Sequence, residues 1–255
     1  MSITHVFETH IHADFMSGAR ELVDRLGGSA RLYVSTEGGA SYGFEHDSVH
    51  DGDVFKFGSL VMKAHFTPGH TPEHMAYLLY EKDRDNNPFG VLCGDSFFVD
   101  SVGRPDLIGD EQTEKLSRAL FTTLKEFYNK LDDGVEIYPG HAAGSSCGPD
   151  IGDRMHSTIG YEKRFNPYMQ FEEFEPFYKA ITEGAPPIPT HYPRLKKVNT
   201  AGPPVLGNLP RISALSPAEF AAAINKGKNP ILDTRDMLAF GGGHIKGALN
   251  ISMRP

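Results

Sequence analysis

The chain has 255 residues, 39% of them apolar, and a formal net charge of −8. This composition can supply a hydrophobic core, whereas the acidic balance and the lack of a dense Lys/Arg run argue against nucleic acid or an anionic membrane as the main partner. No apolar run is long enough to span a bilayer, and the two cysteines lack Cys-x-x-Cys spacing, which favours a reducing, cytoplasmic setting.

The first half of the chain predicts a sheet-rich structure. Strand-like runs lie at residues 3–7, 31–34, 54–57, 60–66, 75–80 and 89–93. One helix is predicted between them at residues 17–26, because Leu22 and Leu26 share a face and a Gly-Gly pair follows.

The second half predicts helices around one further strand. Residues 111–131 repeat leucine and phenylalanine at three- and four-residue spacing, which is typical of a core-facing helix. A strand is predicted at residues 135–138, and residues 154–183 are predicted to be helical in parts. Prolines at 186–189 and Gly-Pro-Pro at 202–204 then indicate an irregular, linker-like connection.

The character of the sequence changes beyond that connection. Ser216, Pro217 and Glu219 predict a helix that starts with a capping box. A short buried strand is predicted at residues 230–235, and Gly-His-Ile-x-Gly-Ala begins at residue 243. We therefore expect two domains, at residues 1–210 and 211–255.

Three short segments have the spacing of ligand loops around one metal. They are His-x-His-x-Asp at residues 10–14, Gly-His-Thr at 69–71 and Gly-Asp at 94–95. Alternate residues of an extended segment project from one side, and the other two segments follow predicted strands, where distant parts of a chain can converge. Imidazoles with a carboxylate suit a borderline divalent metal.

Together with Pro-Gly-His at residues 139–141, this order of motifs resembles the metallo-β-lactamase superfamily. The residues around the motifs, including Gly-Arg-Pro-Asp at 103–106, resemble more narrowly its persulfide dioxygenase branch, in the bacterial form fused to a rhodanese domain. Asp-x-Arg at 233–235, followed by Gly-His-Ile-x-Gly-Ala, resembles the opening of that rhodanese domain. The implied α/β fold is an αββα sandwich followed by the start of a rhodanese-like α/β domain.

In the family fold several strands precede the His-x-His-x-Asp loop, which here begins at residue 10. The cysteine that carries sulfur in rhodanese domains lies well beyond the point this chain reaches, so no sulfur transfer is assigned to it. We expect a sandwich that is incomplete at its N-terminus, and hence a chain that folds poorly or binds metal weakly by itself.

The resemblance implies that His10, His70 and Asp95 bind one Fe(II) per chain, with zinc as the alternative metal. Superfamily members with two metals have a histidine directly after the aspartate of the first motif, where this chain has Phe15. A phenyl ring cannot bind a metal, so one metal is expected. Two imidazoles and one carboxylate leave positions open for substrate and dioxygen.

His12, Asp14 and His141 are expected to complete the catalytic site beside the metal. We interpret His12 and Asp14 as groups that orient ligands or bound water, with direct ligation as the equal alternative. We interpret His141 as a polar wall near the substrate, and Cys147, on a loop after it, could approach a sulfur substrate. The remaining histidines are interpreted as hydrogen-bonded structural residues: His5, His46, His50, His65, His74, His156, His191 and His244.

The resemblance implies that a small persulfide, such as glutathione persulfide, is oxidised by dioxygen to sulfite and thiol, as in sulfide detoxification. Because glutathione is anionic, cationic and hydroxyl groups should face the pocket. Arg104, Tyr161 and Arg164 are the candidates. Arg104 could instead brace the ligand loop through Asp106, and the other two could lie on a solvated helix start. A homodimer is also implied.

Two other functions stay open. A hydroxyacylglutathione hydrolase of glyoxalase II type shares the scaffold and the thiol substrate, but it normally uses two metals, one of which activates water. An inactive, truncated remnant is the third interpretation. Phe15 favours the dioxygenase over the hydrolase.

Overall fold

The computed structural model describes residues 2–82, 87–183, 185, 187–208, 212–225, 227 and 229–253. The chain divides into two compact units, Met1–Gly207 and Asn208–Pro255. The predicted domain boundary at residues 210 and 211 lies outside the described residues, as does residue 186 of the predicted linker.

The first unit is built mainly from strands. In chain order they are β1 (His5–Phe7), β2 (Arg31–Ser35), β3 (Asp47–Val49), β4 (Val54–Phe57), β5 (Leu60–Phe66), β6 (Met75–Glu81), β7 (Gly90–Gly94), β8 (Phe97–Phe98), β9 (Ser101–Val102), β10 (Glu136–Pro139) and β11 (Ser157–Thr158). A parallel sheet has the order β1-β2-β3, and a larger sheet has the order β11-β10-β7-β6-β5-β4. In the larger sheet β7 and β10 are parallel and the other neighbours are antiparallel.

Five α-helices are described in this unit. They are α1 (Ala19–Arg25), α2 (Asp110–Glu126), α3 (Ile159–Phe165), α4 (Phe174–Glu183) and α5 (Tyr192–Ala201). Leu116, Leu120 and Leu124 of α2 are buried, as the leucine stripe predicts. Among the described residues no helix is long and apolar enough to cross a membrane.

The two sheets pack face to face through aromatic side chains. The ring of Phe7 on β1 lies 4.7 Å from the ring of Phe55 on β4 and 5.5 Å from that of Tyr77 on β6, measured between centroids. On its other face the larger sheet packs against α2 and α4, and α1 lies against the smaller sheet. Buried side chains between the larger sheet and these two helices include Val91, Ile137, Leu120, Leu124, Phe177 and Ile181. This layering confirms the expected αββα sandwich.

The linker-like interpretation of the proline-rich region is wrong for residues 192–201, which form α5. Pro193 stands in the first turn of this helix, where its fixed backbone angle is compatible with helical geometry. Tyr192 and Asn199 are buried, because the side chains contact the loops that hold the predicted site. Tertiary contacts therefore order a segment whose composition indicates a linker.

The second unit contains α6 (Pro217–Asn225), β12 (Leu232–Asp233), α7 (Met237–Gly242) and β13 (Leu249–Asn250), with β12 and β13 parallel. The predicted capping box is present: the backbone N–H of Ser216 donates to Glu219 Oε2 at 2.8 Å, and that of Glu219 to Ser216 Oγ at 3.3 Å. Leu232 is 54% exposed. The prediction of a buried strand is wrong here, because the two residues of β12 are exposed and half-buried.

Candidate metal centre

Three chain segments meet at the strand ends of both sheets. His10 follows β1, His70 follows β5 and Asp95 follows β7 directly. All three are almost fully buried, and the Nε2 atoms of His10 and His70 lie 3.7 Å and 3.5 Å from Asp95 Oδ2. One ligand atom from each residue lies within 4.8 Å of the others. The structure thus brings together the three predicted ligands, called the buried triad below.

Hydrogen bonds fix the direction of both imidazoles. His70 Nδ1 donates to the backbone carbonyl of Arg104 at 2.9 Å, and His10 Nδ1 is hydrogen-bonded to Thr9 Oγ1 at 2.8 Å. The Nε2 atom of each ring is therefore left to face Asp95. Metal-binding histidines commonly have such a partner on the second ring nitrogen.

The Asp95 carboxylate is packed tightly, yet it lacks a well-aligned hydrogen bond. Neither of its oxygens has such a partner among the described residues, although the residue is 0% exposed. A Cβ at Gly140 would lie 2.4 Å from Asp95 Oδ1, so only glycine fits there. A buried carboxylate without an aligned hydrogen bond is costly unless a cation is close, and His141 Nε2 lies 3.2 Å from Oδ2. The donor set fits a divalent metal.

The electrostatics of the buried triad favour the protonation states that a metal requires. Burial lowers the pKa of His10 well below its ordinary value, and burial also lowers the pKa of His70, with Asp95 opposing both effects. Burial would raise the pKa of Asp95, but the attraction of His10 and the close contact with His141 hold it below its ordinary value. Near neutral pH the buried triad has two neutral imidazoles and one carboxylate.

Asp14, His141 and Cys147, called the outer triad below, lie beside the buried triad. Nε2 of His141 is 3.2 Å from Asp14 Oδ2 and also 3.2 Å from Asp95 Oδ2. Burial lowers the pKa of His141, but the close contacts with these two carboxylates outweigh burial and raise it to about 12. Ligand atoms of the outer triad also lie within 4.8 Å of one another, so distance alone would permit a second ion.

Cys147 is 1% exposed, and its Sγ lies 3.6 Å from the hydroxyl of Tyr192 on α5. A cavity of about 510 Å³ opens beside this group. Its lining consists of Asp14, His141, Ala142, Ala143, Gly144, Ser145, Ser146, Pro189, His191 and Tyr192. The outer triad therefore separates the buried triad from a space that a small substrate can enter.

His12 lies between the buried triad and Phe15. Its ring centroid is 4.2 Å from that of His10 and 4.3 Å from that of Phe15. His12 Nδ1 is 3.9 Å from Asp14 Oδ1, and neither atom has a hydrogen-bond partner among the described residues. His12 is thus placed beside the predicted ligands, as expected, with Phe15 occupying the position next to it.

Arg104 is buried and makes structural contacts, and it does not line the cavity. It is 1% exposed, and its Nε and Nη2 atoms each donate to the Asp106 carboxylate at 2.7 Å. Nη1 donates to the carbonyl of Ser146 at 3.3 Å. These contacts favour the structural alternative, in which Arg104 fixes the carbonyl that binds His70.

Tyr161 and Arg164 lie on α3, which follows β11 at the edge of the larger sheet. The guanidinium of Arg154 lies 3.8 Å from the centroid of the Tyr161 ring, and Arg164 is exposed. In the described part of the chain no hydrogen bond, ion pair or ring contact joins either residue to the buried or outer triad. Their assignment to substrate binding stays a prediction without support from these contacts.

Several residues that position the site had no assigned role from the sequence. Glu73 Oε1 accepts from the backbone N–H of Ile11 at 2.8 Å, and Asn199 Nδ2 donates to the carbonyls of His12 and Phe15, both at 2.8 Å. These partners are 62 or more residues apart in the chain, and no local spacing signals them. Thr9 could have been predicted from the sequence as a hydrogen-bond partner of His10, since it directly precedes that residue.

The interpretation of His74 as structural agrees with its contacts. Its Nε2 accepts from the backbone N–H of Asp95 at 3.0 Å, and its Nδ1 pairs with Thr67 Oγ1 at 2.8 Å. Burial lowers its pKa to about 3. A neutral His74 therefore supports the backbone of Asp95.

Comparison with proteins of known structure identifies the fold. A metallo-beta-lactamase from Staphylococcus aureus subsp. aureus COL superposes with a TM-score of 0.79 and 34% identity, over 98% of this chain and 70% of that one. The chain belongs to the metallo-β-lactamase superfamily. Residues 216–255 match the rhodanese-like domain family, in agreement with the expected second domain.

Two further relatives have different protein names. ETHE1 from Myxococcus xanthus superposes with a TM-score of 0.64 and 27% identity, over 82% of this chain and 79% of that one. Hydroxyacylglutathione hydrolase from Prochlorococcus marinus is 29% identical over 141 residues, which are 55% of this chain and 52% of that protein. The chain thus spans about half the length of this curated relative.

Proposed function

We propose that this chain is a persulfide dioxygenase that uses one Fe(II). The observation on which the proposal depends is the asymmetry of the two triads: the buried triad directs two imidazoles at one carboxylate, whereas the imidazole of the outer triad, His141, is paired with two carboxylates. Phe15, packed on His12, stands where superfamily members with two metals have a further imidazole. Two histidines and one carboxylate are typical of non-haem Fe(II) oxygenases.

In this proposal His10, His70 and Asp95 hold the metal. Iron(II) bound there would supply one centre at which a persulfide sulfur and dioxygen can meet. Thr9 and the Arg104 carbonyl keep both Nε2 atoms directed inward. His141 keeps a proton on Nε2 between the carboxylates of Asp14 and Asp95 and forms part of the cavity wall.

The proposed substrate is a small thiol persulfide such as glutathione persulfide. The persulfide, dioxygen and water would give the thiol, sulfite and two protons, so that the outer sulfur is oxidised and the sulfur–sulfur bond breaks. The cavity of about 510 Å³ beside the outer triad has the size class of a small-molecule site. Asp14 and His141 line this cavity, and His141 contacts Asp95 of the buried triad.

The second candidate is hydroxyacylglutathione hydrolysis with two metals. It is favoured by the outer triad, whose ligand atoms converge within 4.8 Å, and by the name of the Prochlorococcus marinus relative. In that reaction a metal-bound water of lowered pKa would attack the thioester. The outer triad would have to give up the contacts of His141 with two carboxylates to bind an ion.

Paired assays separate the two candidates. Dioxygen uptake with glutathione persulfide is measured on protein loaded with Fe(II), and thioester hydrolysis on protein loaded with Zn(II), each alongside metal analysis. We expect one iron per chain, dioxygen uptake and sulfite formation. Two metals per chain together with faster thioester hydrolysis would reject the dioxygenase in favour of the hydrolase.

A further inference from the structure

A short hairpin of β8 and β9 joins two parts of the metal centre. Asp95 lies two residues before Phe97, where the hairpin begins, and Arg104 lies two residues after Val102, where it ends. The carbonyl of Arg104 accepts from His70 Nδ1. The hairpin therefore sets the distance between the carboxylate ligand and the partner of an imidazole ligand.

The end of the hairpin packs directly against both ligands. A Cβ at Gly103 would overlap the backbone oxygen of Asp95 and would lie 3.0 Å from the Cβ of His70. Because no space separates these backbones, a shift of the hairpin must move Asp95, His70 or both. The position of the hairpin is thus transmitted to the buried triad by contact.

The turn of the hairpin is held by Glu162 of α3 and by Asn166, which directly follows this helix. Asp100, in the turn, has a φ of 58°, a left-handed conformation that is uncommon outside glycine. Its backbone N–H donates to Glu162 Oε2 at 2.8 Å, and Asn166 Nδ2 donates to the carbonyl of Ser101 at 3.0 Å. Asn166 Nδ2 also donates to Glu162 Oε2 at 3.0 Å, which connects the two contacts.

Glu162 and Asn166 are both 0% exposed, whereas Tyr161 and Arg164, the residues of α3 that the sequence indicated for substrate binding, are exposed. Residues four positions apart lie on the same side of a helix. Burial raises the pKa of Glu162, and its Oε1 atom has no hydrogen-bond partner among the described residues. The buried side of α3, and not its exposed side, therefore contacts the hairpin of the metal centre.

We infer that Glu162 and Asn166 position the metal ligands Asp95 and His70 by fixing the turn of the hairpin. They are positioning residues, since the atoms that they bind belong to the backbone of the hairpin. The inference rests on the buried triad as the metal site, which the proposed function also requires, and not on the reaction catalysed there.

Co(II) binding to the full chain tests this inference without turnover. Co(II) accepts the same nitrogen and oxygen donors as Fe(II), and its visible absorption bands depend on the geometry of the ligands. Affinity is measured by competition with a chelator, at a temperature where circular dichroism shows every variant to be folded. Asn166→Asp keeps an oxygen for the backbone N–H of Tyr168 but loses both N–H donors. We expect it to weaken Co(II) binding by about tenfold and to change the absorption bands.

Two substitutions at Glu162 separate its hydrogen bonds from its charge. Glu162→Gln keeps an oxygen that can accept from Asp100 and Asn166, so the Co(II) affinity should be unchanged. Glu162→Leu removes the acceptor, and it should weaken Co(II) binding to the same extent as Asn166→Asp. Equal affinities in the two Glu162 variants would overturn its assignment as a positioning residue.

Lys163→Gln is the matched control on the same helix. Lys163 Nζ donates to the carbonyl of Leu131 at 2.7 Å and to Asp133 Oδ1 at 3.0 Å, so it joins α3 to the segment before β10. This substitution should lower the midpoint of thermal unfolding and leave the Co(II) affinity and absorption bands unchanged. If Asn166→Asp also lowers only the midpoint, its contacts serve the fold alone and the inference is overturned.

The outcomes also separate this inference from the proposed function. An unmodified chain that binds no Co(II) would reject the buried triad as a metal site, and this inference with it. Co(II) binding that is weakened by Asn166→Asp, without dioxygen uptake by the Fe(II)-loaded protein, would reject the dioxygenase and retain the positioning role.

Discussion

The buried triad and the outer triad lie side by side, but their polar atoms are satisfied in different ways. In the buried triad the outward nitrogens of His10 and His70 bind Thr9 and the Arg104 carbonyl, while Asp95 is left without an aligned hydrogen bond. In the outer triad the members bind largely to one another and to Asp95. The first arrangement directs two Nε2 atoms at one carboxylate, where an ion can bind, and the second pairs His141 with two carboxylates.

The difference shows that convergence of ligand atoms does not by itself identify a metal site. Both triads bring ligand atoms within 4.8 Å, but in the buried triad Thr9 and the Arg104 carbonyl bind the second ring nitrogens and so direct both Nε2 atoms inward. Outer partners of metal ligands commonly fix ring orientation and tautomer. We therefore expect metal content to respond strongly to changes in the buried triad and weakly to changes in the outer triad.

The largest expected effect is that of His70→Ala. Removing one of two imidazoles leaves too few donors for tight binding, so metal content and activity should fall to background. Metal analysis of the purified variant checks this, with circular dichroism to show that the fold persists. His156→Ala, at an exposed histidine, should keep the full metal content. A His70→Ala variant that retains its metal would exclude the buried triad as the site.

Gly140→Ala should have the next largest effect. Its Cβ would stand 2.4 Å from Asp95 Oδ1, and relief of such crowding costs about 1–3 kcal/mol. Metal affinity should therefore fall by about 10–100-fold, as measured by competition with a chelator. Gly134→Ala is the control, because a Cβ there meets no atom within 4 Å. Equal affinities in the two variants would show that Asp95 does not bind the metal.

Thr9→Val should weaken metal binding less, by about tenfold, since it removes only the outer partner of a ligand. The chain offers a close control in Thr4→Val. Thr4 Oγ1 and His5 Nδ1 are 2.8 Å apart, the same distance as in the pair of Thr9 and His10, but outside the site. If both valine variants bind metal as tightly as the unmodified chain, the hydroxyl of Thr9 does not orient a ligand.

Cys147→Ala should have the smallest effect on the metal. We expect one metal per chain as before, with a loss of about 1 kcal/mol in the free energy of unfolding from the buried thiol. Cys93→Ala removes another buried thiol, whose Sγ donates to the carbonyl of Phe97 at 3.1 Å, and controls for the packing loss. Denaturant unfolding and metal analysis measure both effects. Loss of one of two bound metals in Cys147→Ala alone would contradict the single-ion proposal.

Much of the fold could be predicted from local patterns. Residues 54–57 and 60–66 match β4 and β5 to the residue, because each strand has a strong run of apolar residues between turn residues. The helix α5 could not be predicted in this way, since its order depends on contacts of Tyr192 and Asn199 with loops far away in the chain.

The site residues differ in the same way, since some could be predicted from local sequence and others could not. The three predicted ligands lie at strand ends, and their motifs contain enough local information to place them together. The role of Arg104 did not follow from its motif, because its guanidinium is bound by Asp106 in the structure. Whether a cation can bind a substrate or is held in an ion pair depends on its neighbours in space, which sequence spacing does not record.

The two imidazoles of the buried triad differ in how easily mutation can disturb them. The partner of His10 is the side chain of Thr9, which a single substitution removes. The partner of His70 is the main-chain oxygen of Arg104, which every amino acid at that position retains. Directed variation at the neighbouring residues can therefore tune the His10 side of the centre by degrees, while the His70 side responds only to changes that shift the backbone itself.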